Sequence, residues 1–119
     1  MKLPNPDRAV VAIEKLRDYS LNPNHPKGKH KARVFFEKLG FTANDAERLR
    51  ELILEAILTT EATEQQPTSY GRRFIVDFQV MKGEQQLVVT TVTIRSAWII
   101  RNDEDFPRLT TCFIPQRWF

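Results

Sequence analysis

A chain of 119 residues, 41% hydrophobic and 28% charged, has the size and balance of one globular domain, 1–119, whose core needs no metal or disulfide staple. The single cysteine, Cys112, excludes an intramolecular disulfide, and no apolar run approaches the roughly 18 residues of a membrane helix. A net charge of +3 is too mild to demand a nucleic-acid partner, so the placement of charge says more than its sum. The start lacks the apolar core of a signal peptide, and with one unpaired cysteine this sets the expectation of a cytoplasmic protein with no membrane partner.

Pro4 and Pro6 keep the first residues extended, and residues 8–12 read as a short edge strand or a docked segment. Ile13 and Leu16, at helical spacing, predict a short helix over 13–19. Residues 21–26, with two prolines and two asparagines, predict a loop. Ala32, Phe35, Phe36 and Leu39 then form a stripe at i, i+3, i+4, i+7, so a helix starts near Gly28 or Lys29 and stops at Gly40. Thr42 is placed to cap the next helix, with Asp45 three residues on and Phe41 set to staple onto Ala46. That helix runs to about Leu58, burying Ala46, Leu49, Leu52, Ile53, Ala56 and Ile57, with Leu54 and Leu58 widening the stripe.

Residues 59–69 are polar, contain Pro67 and read as a mobile link. Over 70–80 the pattern changes to alternation, with Phe74, Val76, Phe78 and Val80 facing in and Arg73, Asp77 and Gln79 facing out. A turn is expected at 81–84. The β-branched stretch 87–100 is the central strand: Val92, Ile94, Trp98 and Ile100 take one face, and Thr91, Thr93, Arg95 and Arg101 the other. A second turn at 102–105 and a last strand over 108–114, ended by Pro115 and followed by a short aromatic tail, complete the chain. Helices first and strands second make the class α+β: N-terminal helices packed on one face of a C-terminal antiparallel β-meander of three to four strands.

The segment from His25 to Arg33 is where chemistry is most readily placed. It holds Lys27, Lys29, Lys31, Arg33 and both histidines. Cations at a helix start oppose the helix dipole, and a bound anion reverses that penalty. Backbone N–H groups behind Gly28 are suited to a phosphate, and His30 is suited to proton transfer. The plainer reading is a solvated basic loop, with His25 an ordinary loop residue. On the sheet, Arg95 and Arg101 offer a cationic floor, against the plainer alternative of Arg73 or Arg95 paired across strands with Asp77. Alternation puts Thr111 on the inward face with Leu109 and Phe113, and Thr110 with Arg108 and Cys112. Cys112 has no base beside it in sequence, and no His/Cys cluster has metal-ligand spacing.

The segments LPNPDRAVV, EKLRDYSLNPNHPKGKHKARVFFEKLGF, YGRRFIVD and TIRSAWIIRNDEDFPRLTTCFIP resemble a family of small bacterial proteins with no established activity. Its members share an LPN…RAV start, a Gly-(Arg/Lys)-His-Lys-Ala-Arg helix entry, a Tyr-Gly strand and a Pro-Arg-Leu-Val-Thr-type ending. The resemblance covers nearly the whole chain, and departs from it where a Thr-Ala-Tyr-Pro-like ending is replaced by Thr111-Cys112-Phe113-Ile114-Pro115. The layout is also similar to ribonuclease toxin domains of the barnase–colicin–RelE type. That similarity implies a His or Lys from the helices, an Arg from a strand and a hydroxyl near the end of the last strand. The matching positions are His30, Lys31, Arg95 or Arg101, and Thr111.

The leading expectation is therefore a domain that engages RNA, or another phosphate-bearing anion, and cleaves RNA without metal or cofactor. His30 acts as general acid or base, Lys31 and Arg95 stabilise the phosphorane, and Thr111 or Thr110 holds a phosphate oxygen. Lys27, Gly28, Lys29, Arg33 and Arg101 form the anion-binding surround. The competing expectations are a non-catalytic interaction module, with a small antitoxin-like protein as partner, and a binder of a small anionic ligand.

Overall fold

The computed structural model describes the backbone of residues 1–84 and 88–116 and the side chains of 1–81 and 91–116. Three helices precede a four-stranded antiparallel sheet of order β1-β2-β3-β4. A 3-10 turn at Pro6–Arg8 leads to α1, Ile13–Lys15, which widens into a π-type turn over Leu16–Ser20. α2 is Lys29–Leu39 and α3 is Ala46–Ala56. The strands are β1, Thr63–Thr68, β2, Gly71–Glu84, β3, Val88–Arg101, and β4, Arg108–Phe113.

The helix ends form for the reasons their sequences give. Gly40 closes α2 in the left-handed region at φ 71. Thr42 and Asp45 make a reciprocal capping box: the Thr42 N–H donates to Asp45 Oδ2 at 2.8 Å and the Asn44 N–H to Thr42 Oγ1 at 3.3 Å. Val10 is a docked segment with one parallel bridge, to Arg108, at the β4 edge.

The inner sheet face is dry as expected. Phe74, Val76, Phe78, Val92, Ile94, Trp98 and Ile100 are buried in one cluster with Leu49, Ile53 and Ile57 from α3 and its end. Ser96 lies on that face too and serves the largest side chain: the Trp98 Nε1–H donates to Ser96 Oγ at 2.8 Å, and the Ser96 hydroxyl donates to the Val76 carbonyl at 2.8 Å.

Four local expectations are overturned. The polar stretch 59–69 holds a strand, β1, paired antiparallel with β2. It is an edge strand whose residues are nearly all exposed, so no alternation marks it, and Pro67 falls where the register breaks between Gln65 and Thr68. It is secured by Arg72, whose guanidinium donates twice to Glu64, and by Arg73, which donates to the Gln66 carbonyl. The expected turn at 81–84 is instead the end of β2, where Gly83 pairs with Val89 in an unbroken ladder. Residues 85–87, which include Leu87 at the start of the expected central strand, and the tail residues 117–119 lie outside the described residues. Phe36 and Leu58, both expected in core stripes, are 60% and 47% exposed. Leu58 lies beyond the end of α3, which stops at Ala56, and Phe36 lines a surface cleft instead of the core.

Gly28 is buried just before α2, and a Cβ there would collide with the Tyr19 carbonyl oxygen. Its φ of −86 is ordinary, so space and not backbone strain demands glycine. Gly28→Ala is expected to destabilise by about 1–3 kcal/mol, as overpacking does, in a urea melt. An unchanged midpoint would mean that α2 is not seated on Tyr19.

Candidate functional site

The start of α2 is organised by His25. Its Nδ1 accepts the N–H groups of Lys27 and Gly28, each at 3.0 Å, and its carbonyl accepts the Lys29 N–H at 3.0 Å. Of the N–H groups expected behind Gly28 to face a phosphate, the one on Lys29 is thus bonded to the His25 carbonyl. Because Nδ1 is an acceptor here, the ring proton sits on Nε2. The His25 ring meets Tyr19 edge-on, with centroids 4.7 Å apart.

Tyr19 and α2 together fix Lys31. Its ammonium lies 4.8 Å from the Tyr19 ring centroid and 5.4 Å from that of Phe113. It donates to Thr111 Oγ1 at 3.1 Å and, more loosely, to the Tyr19 hydroxyl at 3.4 Å. Thr111 reaches it because of a bulge in β4. Trp98 pairs with Leu109 and Ala97 with Thr111, leaving Thr110 as the extra residue. The alternation therefore slips by one. Leu109 and Cys112 both turn inward, while Thr111 and Phe113 are only half-buried. The inward placement expected for Thr111 is thus corrected. Thr110 is exposed and donates to the Ala97 carbonyl at 2.9 Å.

Most arginines are neutralised. Arg8, Arg17, Arg50, Arg72 and Arg108 each sit within 3.0 Å of a carboxylate oxygen, and Arg33 lies 3.9 Å from Glu37. Arg95 is committed in the same way. Its Nε and Nη2 donate to the two oxygens of Asp77 at 2.8 and 2.9 Å, and this pairing raises its pKa above the ordinary guanidinium value. By contrast, among the described residues no carboxylate lies within ion-pair distance of Lys27, Lys29, Lys31 or Lys38. Neither the described His, Cys, Asp and Glu side chains nor Cys112 offers a metal cluster, for no group of three converges.

The four residues assigned to catalysis are therefore split. Lys31 and Thr111 are in contact. Arg95 lies two pairs along the same ladder from Thr111, opposite Phe113, with its charge on Asp77. His30, one residue from Lys31 and so about 100° around the helix, lines a separate cleft with Phe36 and Phe41. Lys29 and Arg33 border that cleft, and Lys27 is exposed nearby. Arg101 is exposed at the far end of β3, beside Tyr70 and Asn102. Tyr19 and Phe113 are site residues that the sequence does not single out: the first falls at the end of the short helix predicted over 13–19, the second on the face of the last strand expected to turn inward. His25 was set aside as loop, although a histidine three residues before a helix-opening glycine is placed to cap it.

Cys112 is fully buried against Ser20, and burial pushes its thiol from an ordinary 9.0 up to about 12. The folded state thus favours the protonated thiol. That contribution to stability is complete below pH 9 and is lost as pH rises from about 9 to about 12. Iodoacetamide at pH 8.5 is expected to leave native Cys112 unmodified and to alkylate it in urea, read by mass spectrometry. Rapid native labelling would contradict the burial.

A family model described as Domain of unknown function (DUF6883) matches residues 2–116. No curated protein and no solved structure matches the chain. Among the described residues no helix is long and apolar enough to cross a membrane.

Proposed function

Since the chain belongs to the DUF6883 family, whose description assigns no activity, we propose from its own geometry that it binds single-stranded RNA by a backbone phosphate held at Lys31. The observation that carries this reading is a half-buried ammonium whose hydrogen-bond partners are the neutral hydroxyls of Thr111 and Tyr19. Each hydroxyl accepts from Lys31 and keeps its own proton to donate. One anion oxygen or two can thus receive the ammonium and both O–H groups, in a setting drier than open water, where charge-assisted bonds are stronger. Lys27, Lys29 and Lys38, exposed on α2 and just before it, add to a field that attracts a polyanion.

The binding half of the sequence expectation is the half this geometry supports. A ribonuclease also needs an acid–base pair at the same phosphate, and His30 belongs to the neighbouring cleft. The test is a titration at low salt with inorganic phosphate, then with a short RNA strand, followed by backbone amide shifts. Movement is expected at Tyr19, Lys31 and Thr111. Saturating RNA with no shift at these three positions would overturn the reading.

A further inference from the structure

The cleft bordered by His30 is a different kind of surface from the Lys31 site. It spans about 660 Å³ between α2 and the loop at 21–23, within the size range of sites that enclose a small organic ligand. Leu21, Pro23, Phe36 and Phe41 give it an apolar lining, and Lys29, His30 and Arg33 give it cationic or protonatable groups. Among the described residues no carboxylate lines it, although Glu37 lies 3.9 Å from Arg33. Phe36 is the telling residue, because a phenyl ring at 60% exposure on a helix that buries Phe35 completely is held out of the core and into this cleft.

We infer that the cleft takes an unstacked nucleobase, which stacks on Phe36 while its phosphate meets Lys29. The chemistry follows from what is present. A base has a flat apolar face for phenyl and imidazole rings, and its phosphate complements Lys29, which has no carboxylate within ion-pair distance among the described residues. An acyl chain would use the apolar lining but leave the rings without a stacking partner, and a bare anion would leave the lining wet. The cleft and Lys31 are on adjacent faces of α2, so one strand can place a base in the former and a phosphate on the latter. The inference extends the RNA reading and assigns its base-recognition element. The same base and phosphate could also come from a free mononucleotide, so the experiment carries both sources.

Binding of a fluorescein-labelled octamer of single-stranded RNA is measured by anisotropy, alongside the same octamer in a duplex. Adenosine monophosphate is titrated separately and followed by amide shifts. Phe36→Ala is compared with wild type, and its retained fold is checked by the phosphate titration at Lys31. Single strands are expected to bind better than duplex, and Phe36→Ala to weaken single-strand binding about 5- to 150-fold with phosphate shifts at Lys31 unchanged. Adenosine monophosphate that shifts His30, Phe36 and Phe41 supports the cleft as a nucleotide site even if the octamer does not bind; that combination overturns the strand reading alone. Octamer binding that is equal for wild type and Phe36→Ala, with no shifts from the mononucleotide, overturns the cleft inference and leaves the phosphate reading standing.

Discussion

Truncating Trp98 to alanine is expected to cost about 3–5 kcal/mol of folding stability, measured by urea unfolding at 25 °C. The indole is 1% exposed at the centre of the inner sheet face, and it pairs across the ladder with Phe74 on one side and Leu109 on the other. Its loss removes the transfer energy of a large side chain and leaves a cavity that strands on both sides cannot close. It also strips Ser96 of the indole N–H that its hydroxyl oxygen accepts. The serine keeps its own bond to the Val76 carbonyl, so the polar part of the loss is modest and the cavity dominates. Trp98→Phe should therefore be milder than alanine. A loss below about 1 kcal/mol for Trp98→Ala would mean that α3 does not seal this face.

Trp98 was legible because β3 is buried on one side only, and strict alternation then writes the buried face into the sequence. The same applies to Phe74, Val76 and Phe78 on β2. Caps were legible for a local reason: Thr42 and Asp45, and Gly40 before them, act within a few residues of themselves. What failed was structure whose cause lies elsewhere in the chain. β1 has no dry face, so its strand is dictated by the free edge of β2. Gly83 carries turn composition, yet the β2–β3 ladder continues through it. The bulge at Thr110 has no sequence mark and reverses the orientation of everything after it, which is why Thr111 and Cys112 were each read on the wrong side. The candidate site shows the same division. Lys31 and Thr111 were both singled out, but nothing local says that residues 80 apart meet. His30 was linked to Lys31 because they are neighbours in sequence, and on a helix neighbours point to different surroundings.

Replacing Lys31 by methionine is expected to lower phosphate and single-stranded RNA affinity about 10- to 150-fold, the loss expected from removing a charge-assisted hydrogen bond of about 1.5–3 kcal/mol. The slope of log K against log salt should become shallower by about 0.7, one phosphate contact on a single strand. Methionine is the informative substitution because its unbranched chain preserves packing between Tyr19 and Phe113, and its sulfur is compatible with both rings. An ammonium that is half-buried without a carboxylate contributes little to folding, for the cation–π contacts are offset by partial loss of hydration. Folding stability should accordingly stay within about 1 kcal/mol of wild type, while binding falls. A lysine kept as a structural tie between α2 and β4 would give the opposite pair of results: a clear loss of stability, with binding intact. Running the same RNA in EDTA and analysing its ends separates binding from cleavage. The appearance of 2′,3′-cyclic phosphate ends, abolished in Lys31→Met and retained in His30→Ala, would assign the reacting phosphate to Lys31, Thr111 and Tyr19. Uncut RNA that still requires Lys31 would make this a binding domain.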